Sequence, residues 1–213
     1  MKYIVSLLLS GILFLGSQHG IAEEKNENVD IVKNPFDVLP FELPKADSDL
    51  YKNYRKNWSR LTGFEYSGLH WKQFVAIFAN KGADIYRENY LAYLALYRDD
   101  DDDEDEDEED SEDESIDSFR EYEIGTIFLK ENYQADKGKP GKPSSLTMMI
   151  KRPAGFDPNG GNWEYLQTDV KGGVIMQGDS NNQLIQSSCS NCHANMAERD
   201  YIFSTFLTTK FGH

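Results

Sequence analysis

The chain has 213 residues and a formal net charge of −15. That length holds one ordinary domain with room for processed ends, and so acidic a chain excludes the basic surface that binds a nucleic-acid backbone. The charge is local: 16 carboxylates lie in the run 99–117, "DDDDDEDEDEEDSEDESID", and the remainder of the chain is within about one charge of neutrality.

The N-terminus reads "MKYIVSLLLSGILFLGSQHGIAEEKNE". Lys2 precedes an apolar run from Tyr3 to Leu15, and small or neutral residues follow up to Ala22. This is the pattern of a secretory signal peptide over residues 1–22, cleaved near Ala22. The apolar run is short for a bilayer span, so the mature protein is expected to be periplasmic, with no membrane association after cleavage. No cysteine lies near the cleavage point, which argues against a lipid anchor. Residues 23–66 read as a polar, proline-punctuated linker and a short helix. Within it, Asp47 to Leu61 offers an N-cap at Asp47 or Ser48 and an apolar face of Leu50, Tyr54, Trp58 and Leu61.

The main domain is expected over residues 67–213. Trp71 to Ala79 is apolar nearly all round, so periodicity alone cannot separate strand from helix. From Ala83 the spacing is helical, through Ile85, Tyr86, Tyr90, Tyr93, Leu94 and Tyr97. Residues 98–118 form the acidic insert. Like charges at this density bury no apolar surface, so a solvated, disordered loop is expected. Calcium binding is the alternative, but the run lacks the glycine turn and ligand spacing of an EF-hand.

Beyond the insert the signals turn to β. "YEIGTIFLKENY" alternates, with Ile124, Thr126, Phe128 and Lys130 on one face and Ile127 and Leu129 on the other. "KGKPGKP" reads as a loop, "SSLTMMIKRP" as a strand, and "AGFDPNGGN" as a turn. "WEYLQT", "DVKGG" and "VIMQG" read as strand, turn and strand. "DSNNQLIQSSCSNCH" reads as a capped short helix, and "ERDYIFSTF" as a closing helix. The expected fold class is α+β: a mainly antiparallel β-sheet with flanking helices and a C-terminal motif.

That motif is Cys189-Ser190-Asn191-Cys192-His193, and it uses both cysteines of the chain. Cys-x-x-Cys-His is the attachment signature of c-type haem. Two thiols one helical turn apart can add to the two haem vinyl groups, and the next side chain then lies where an imidazole nitrogen can ligate iron. Cys189 and Cys192 are therefore the expected thioether positions of one covalent haem c, and His193 the expected iron ligand. A zinc site would need a fourth ligand, and only His70 and His213 remain in the mature chain. A thioredoxin-like pair would want a βαβ context. A disulfide across two residues closes almost no loop.

Four blocks in order, "HWKQFVAIFANKGADIY", "YEIGTIFLKE", "LTMMIKRPAGFDPNGGNWEY" and "CSNCHANMAERDYIF", give the chain a further likeness. From Leu69 to Phe206 it resembles the cytochrome P-460 family, which includes the cytochrome c′-beta proteins. The resemblance implies an exported, mainly antiparallel β protein that forms a homodimer. It implies one haem whose sixth position is open to a small nitrogenous ligand, nitric oxide or hydroxylamine. The cytochrome P-460 type oxidises hydroxylamine and carries an extra lysine bond to a meso carbon of the haem. Lys130, in "GTIFLKE", falls at that lysine's position and is the candidate cross-linking and catalytic residue. An ordinary solvent lysine near a strand end is the bland alternative.

The cytochrome c′-beta type lacks the cross-link and binds nitric oxide in an apolar, aromatic pocket. Phe74, Phe78 and Phe128 are the candidate distal aromatics. Val75 falls where hydroxylamine oxidisers have an arginine, and Glu131 and Glu198 are candidates for their second-sphere carboxylate. Met148, Met149, Met176, Met196 and His70 are candidates for a protein sixth ligand. Three functions follow: oxidation of hydroxylamine or nitric oxide with electrons passed to a partner cytochrome, nitric oxide binding without turnover, and plain electron transfer.

Overall fold

The computed structural model describes residues 39–45, 48–96 and 119–204. The expected signal segment and the acidic insert lie outside these residues. Everything described belongs to one unit, Asn34–His213.

Where one helix is expected before the sheet, two short ones form, α1 (Ser48–Tyr51) and α2 (Tyr54–Asn57). Asn53 between them adopts φ 60°, a left-handed conformation that asparagine tolerates and that ends a helix. The strands are β1 (Ser59–Arg60), β2 (Glu65–Ser67), β3 (Gln73–Ala79), β4 (Ile127–Asp136), β5 (Lys139–Lys151), β6 (Trp163–Asp169) and β7 (Val174–Gly178), with helix α3 (Ala83–Leu96) between β3 and β4. They form a seven-stranded antiparallel sheet in the order β1-β3-β4-β5-β6-β7, with β2 also paired to β3. The apolar run left open by the sequence is thus a strand. It is apolar on both sides because both faces of the sheet are covered.

One face carries Ala76, Phe78, Ile127, Leu129, Tyr133, Leu146, Met148, Ile150 and Leu166. It is covered by Tyr51, Tyr54 and Phe41 from the N-terminal segment, and Glu42 N donates to Val170 O at 2.9 Å. The other face carries Ala79, Phe128, Met149, Trp163 and Tyr165 and is covered by Ile85 and Tyr86 of α3 and by Ile185 and Ile202. Helix α3 buries Ile85, Tyr86, Asn89 and Ala92. Asn89 was not visible as a core position in the sequence. Its amide bridges the returning chain, donating to Arg120 O at 2.9 Å and accepting from Arg120 N at 2.8 Å.

The expected loop "KGKPGKP" is instead the top of a hairpin. Lys137 (φ 50°) and Gly138 (φ 79°) make a two-residue turn between paired Asp136 and Lys139, the geometry that matches strand twist. Pro140 and Pro143 sit beside two register shifts in β4–β5 pairing, where β6 does not reach. A proline is tolerated at such places because no ladder hydrogen bond is needed from it.

Glu131, a candidate distal carboxylate, lies on the first face and is 1% exposed. It accepts from the Tyr54 hydroxyl, from Arg55 Nε at 2.5 Å and Nη2 at 2.9 Å, and from Tyr133 Oη at 2.6 Å. In a strand, neighbours point to opposite sides, so Glu131 and Lys130 cannot share a cavity. Glu131→Gln keeps the shape and removes the charge that compensates Arg55. Breaking such a buried pair is expected to cost about 3 kcal/mol, read as a lower urea midpoint. The visible spectrum of the holoprotein should be unchanged. A changed spectrum with unchanged stability would return Glu131 to the site.

Candidate cofactor site

The second face of the sheet is graded along the strands, and the register shows how. Phe128, Met149 and Tyr165 face one another across β4, β5 and β6. Two residues further along β4, Ile77, Lys130, Thr147, Gln167 and Met176 stand in a row across five strands. The next row holds Asn132 opposite Ser145. An apolar and aromatic row therefore gives way to a row with an amine, a hydroxyl and an amide. Asn132 Nδ2 donates to Thr147 Oγ1 and to Ser145 O, each at 3.2 Å. The Thr147 hydroxyl, which accepts there, has its own proton left to donate.

Opposite this wall stands the cysteine motif. Asn182 caps a helical run, accepting from Leu184 N at 2.9 Å. The run comprises α4 (Gln183–Ile185), a π-helical turn over Gln186–Ser190, and α5 (Asn191–His193). Both cysteines are free thiols, Cys189 half-buried and Cys192 exposed. Burial pushes the Cys189 thiol pKa up, partly offset by the charge of Lys130. The expected closing helix is replaced by a 3-10 stretch, Ala194–Arg199, which Asp200 (φ 51°) and Tyr201 (φ 65°) end.

Between wall and motif lies a cavity of about 1050 Å³, its open mouth included. His193 lines it, and its Nδ1 lies 2.7 Å from Tyr201 O. A carbonyl only accepts, so Nδ1 carries the proton and Nε2 keeps its lone pair for a metal. Burial pulls the His193 pKa down to about 4, against the carbonyl bond that raises it and with the Lys130 charge that lowers it further. The ring is therefore neutral at pH 7, the form that ligates. Tyr165 and Phe203 meet it edge-on, with centroids 5.8 and 5.2 Å away.

The sequence-derived candidates divide between the two faces. Cys189, Cys192, His193, Lys130 and Phe128 line the cavity together. Phe74 and Phe78 do not: Phe78 is buried in the opposite core and Phe74 packs against it. Alternation along β3 sends Ile77, not the phenylalanines, to the cavity. Val75 is buried on the Ile77 side. Glu198 is on the 3-10 stretch, 3.9 Å from Arg199 Nε and largely exposed. Met149, Met176 and His70 line the cavity, Met148 also borders it but is buried in the opposite core, and the Met196 sulfur accepts from Arg199. His70 Nδ1 is 2.6 Å from Ser67 Oγ. Burial, then Lys130 and His193, lower its pKa to about 3. Thr147, Gln167 and Asn132 were missed. Strand alternation counted from Lys130 finds Asn132, but Thr147 and Gln167 emerge only from cross-strand register.

The residues present fit a haem. Two thiols lie one helical turn apart, with a neutral imidazole whose Nε2 is free next to them. The Tyr165 hydroxyl, on the cavity wall, is buried with no hydrogen-bond partner among the described residues. A buried hydroxyl left so costs roughly 1–3 kcal/mol, which a cofactor bearing polar acceptors would relieve. Sheet and site together therefore define a haem cytochrome, in which an antiparallel sheet supplies most of the cofactor wall. Residues 104–204 match the family model for cytochrome P460. No curated protein matches the chain.

Proposed function

We propose that this chain is an exported, periplasmic mono-haem c-type cytochrome that oxidises hydroxylamine or nitric oxide and passes the electrons to a partner cytochrome. Cys189 and Cys192 hold the haem and His193 ligates its iron. The bound haem supplies redox-active iron with a coordination position for the nitrogen compound. The observation that carries the reading is Lys130 on the cavity wall, in register with Thr147 and Gln167. Burial lowers the Lys130 pKa to about 8, while the two thiols raise it. At pH 7 roughly a tenth of the amine is then free base, the form able to bond to carbon. Thr147 and Gln167 offer donors and acceptors to a ligand with N–H and O–H groups. Phe128 and Met149, one row away, keep water from the buried end.

The second reading is nitric oxide binding without turnover. It is favoured by Ile77 and Phe128, which present no charge to a diatomic ligand. Met149, Met176 and His70 on the wall favour a third, in which a protein ligand fills the sixth position and the protein only carries electrons. The ferrous absorption spectrum with a hydroxylamine turnover assay separates the three. A strongly red-shifted Soret band with turnover is the expected result. An ordinary Soret band with nitric oxide binding and no turnover selects the second reading. A six-coordinate spectrum that excludes nitric oxide selects the third.

A further inference from the structure

At the apolar end of the cavity wall, a buried ion pair stands outside the proposed chemistry. Lys151 Nζ lies 2.5 and 2.7 Å from the two carboxylate oxygens of Asp200. Tyr122 N donates to Asp200 Oδ2 at 2.8 Å. Trp163 Nε1 donates to Asp200 O at 2.9 Å and to Oδ1 at 3.2 Å. Removing two charges from water nearly cancels their attraction, so stability alone is a weak reason for the pair. Asp200 and the following Tyr201 are both in the left-handed region, a conformation costing roughly 1 kcal/mol or more per residue outside glycine.

What this backbone achieves is the direction of one carbonyl. The turn at Asp200–Tyr201 brings Tyr201 O back to His193 Nδ1. The far side of Tyr201 is fixed as well. Its hydroxyl donates to Asn159 O at 2.9 Å. Its ring lies on Gly161, where a Cβ would come within 2.5 Å of ring carbons, so no side chain fits there.

We propose that Asp200, locked by Lys151 and Trp163, is a positioning residue for the axial ligand. It holds the Tyr201 carbonyl on His193 Nδ1–H and so sets how strongly His193 donates to iron. A strong bond to Nδ1–H gives the ring more imidazolate character and raises its basicity. That favours the ferric state and lowers the reduction potential. The inference rests on His193 as the axial ligand.

The test uses holoprotein, resonance Raman of the ferrous form and a midpoint potential. Asp200→Asn keeps the shape and weakens the lock, and Trp163→Phe removes the indole donor while leaving a smaller aromatic ring beside Lys151. Both are expected to lower the iron–imidazole stretching frequency and raise the potential, the asparagine variant more. Glu131→Gln, destabilising but on the other face of the sheet, should move neither. If Asp200→Asn yields no holoprotein, Trp163→Phe decides. Variants that lose thermal stability while keeping the wild-type stretch and potential overturn the proposal. A wild-type spectrum with no iron–imidazole band overturns the axial reading beneath it.

Discussion

Replacing both Cys189 and Cys192 by alanine is expected to abolish covalent haem, because the thioethers must seat the haem before Lys130 can bond to it. After denaturing electrophoresis the haem-stained band should vanish, and acid–acetone should extract whatever haem remains. Each single replacement should leave a weaker band, because one thioether still holds. The reasoning is local and geometric. The two thiols sit one turn apart on a continuous helical run and open on a cavity that also holds the neutral His193. The chain has no third thiol to substitute for them. Intact mass is the sharper check, since the double variant should weigh the same as polypeptide alone. A stained band that persists in the double variant and disappears only when Lys130 is also replaced would make Lys130 a sufficient tether. A band that persists in that triple variant would defeat the attachment scheme.

The second large effect concerns Lys130. Lys130→Ala is expected to move the ferrous Soret band to the position of ordinary c-type haem. Hydroxylamine turnover should fall on the order of 100-fold, the scale on which a positioned reacting group acts. Nitric oxide binding should survive, because His193 and the cavity are untouched. Lys130→Arg keeps the charge but not the nucleophilic amine, so it should resemble the alanine variant. A tryptic haem peptide from the wild type should also carry the Lys130 segment. If that segment is recovered free of haem, and Lys130→Ala leaves spectrum and turnover as they were, the lysine is only a wall residue.

The motif was legible because its chemistry is written in contiguous residues. Two cysteines and a histidine at fixed spacing need no tertiary context to be understood, and "DSNNQLIQSSCSNCH" already reads as the capped short helix that carries them. The face of β4 was legible too, since Phe128, Lys130, Ile127 and Leu129 alternate cleanly. β3 was not. Phe74–Ala79 is covered on both sides, so every position is apolar enough to be core and the run says nothing about which face meets the cavity. That is why Phe74 and Phe78 were placed at the site when Ile77 is there. Thr147 and Gln167 were invisible for a related reason. Their place beside Lys130 depends on the pairing of three strands. The hairpin turn at Lys137–Gly138 was obscured by the nearby prolines, which sit at register shifts instead of breaking the strand. The closing helix failed because Asp200 and Tyr201 are held left-handed by partners 49 and 8 residues away in sequence.

The register shifts in the β4–β5 hairpin have a consequence for how this protein can vary. Side chains along a strand alternate, so sliding β4 by one residue would bring Glu131 or Leu129 to the cavity in place of Lys130. Both irregularities fall beyond Asn132, between the polar row and the hairpin tip. A residue gained or lost at Lys137–Gly138 can be absorbed there, in a part of the ladder already out of step. The stretch from Phe128 to Asn132 keeps its pairing to both neighbours. The tip is thus the segment of the sheet that can be lengthened by an inserted peptide while Lys130 stays on the cavity wall.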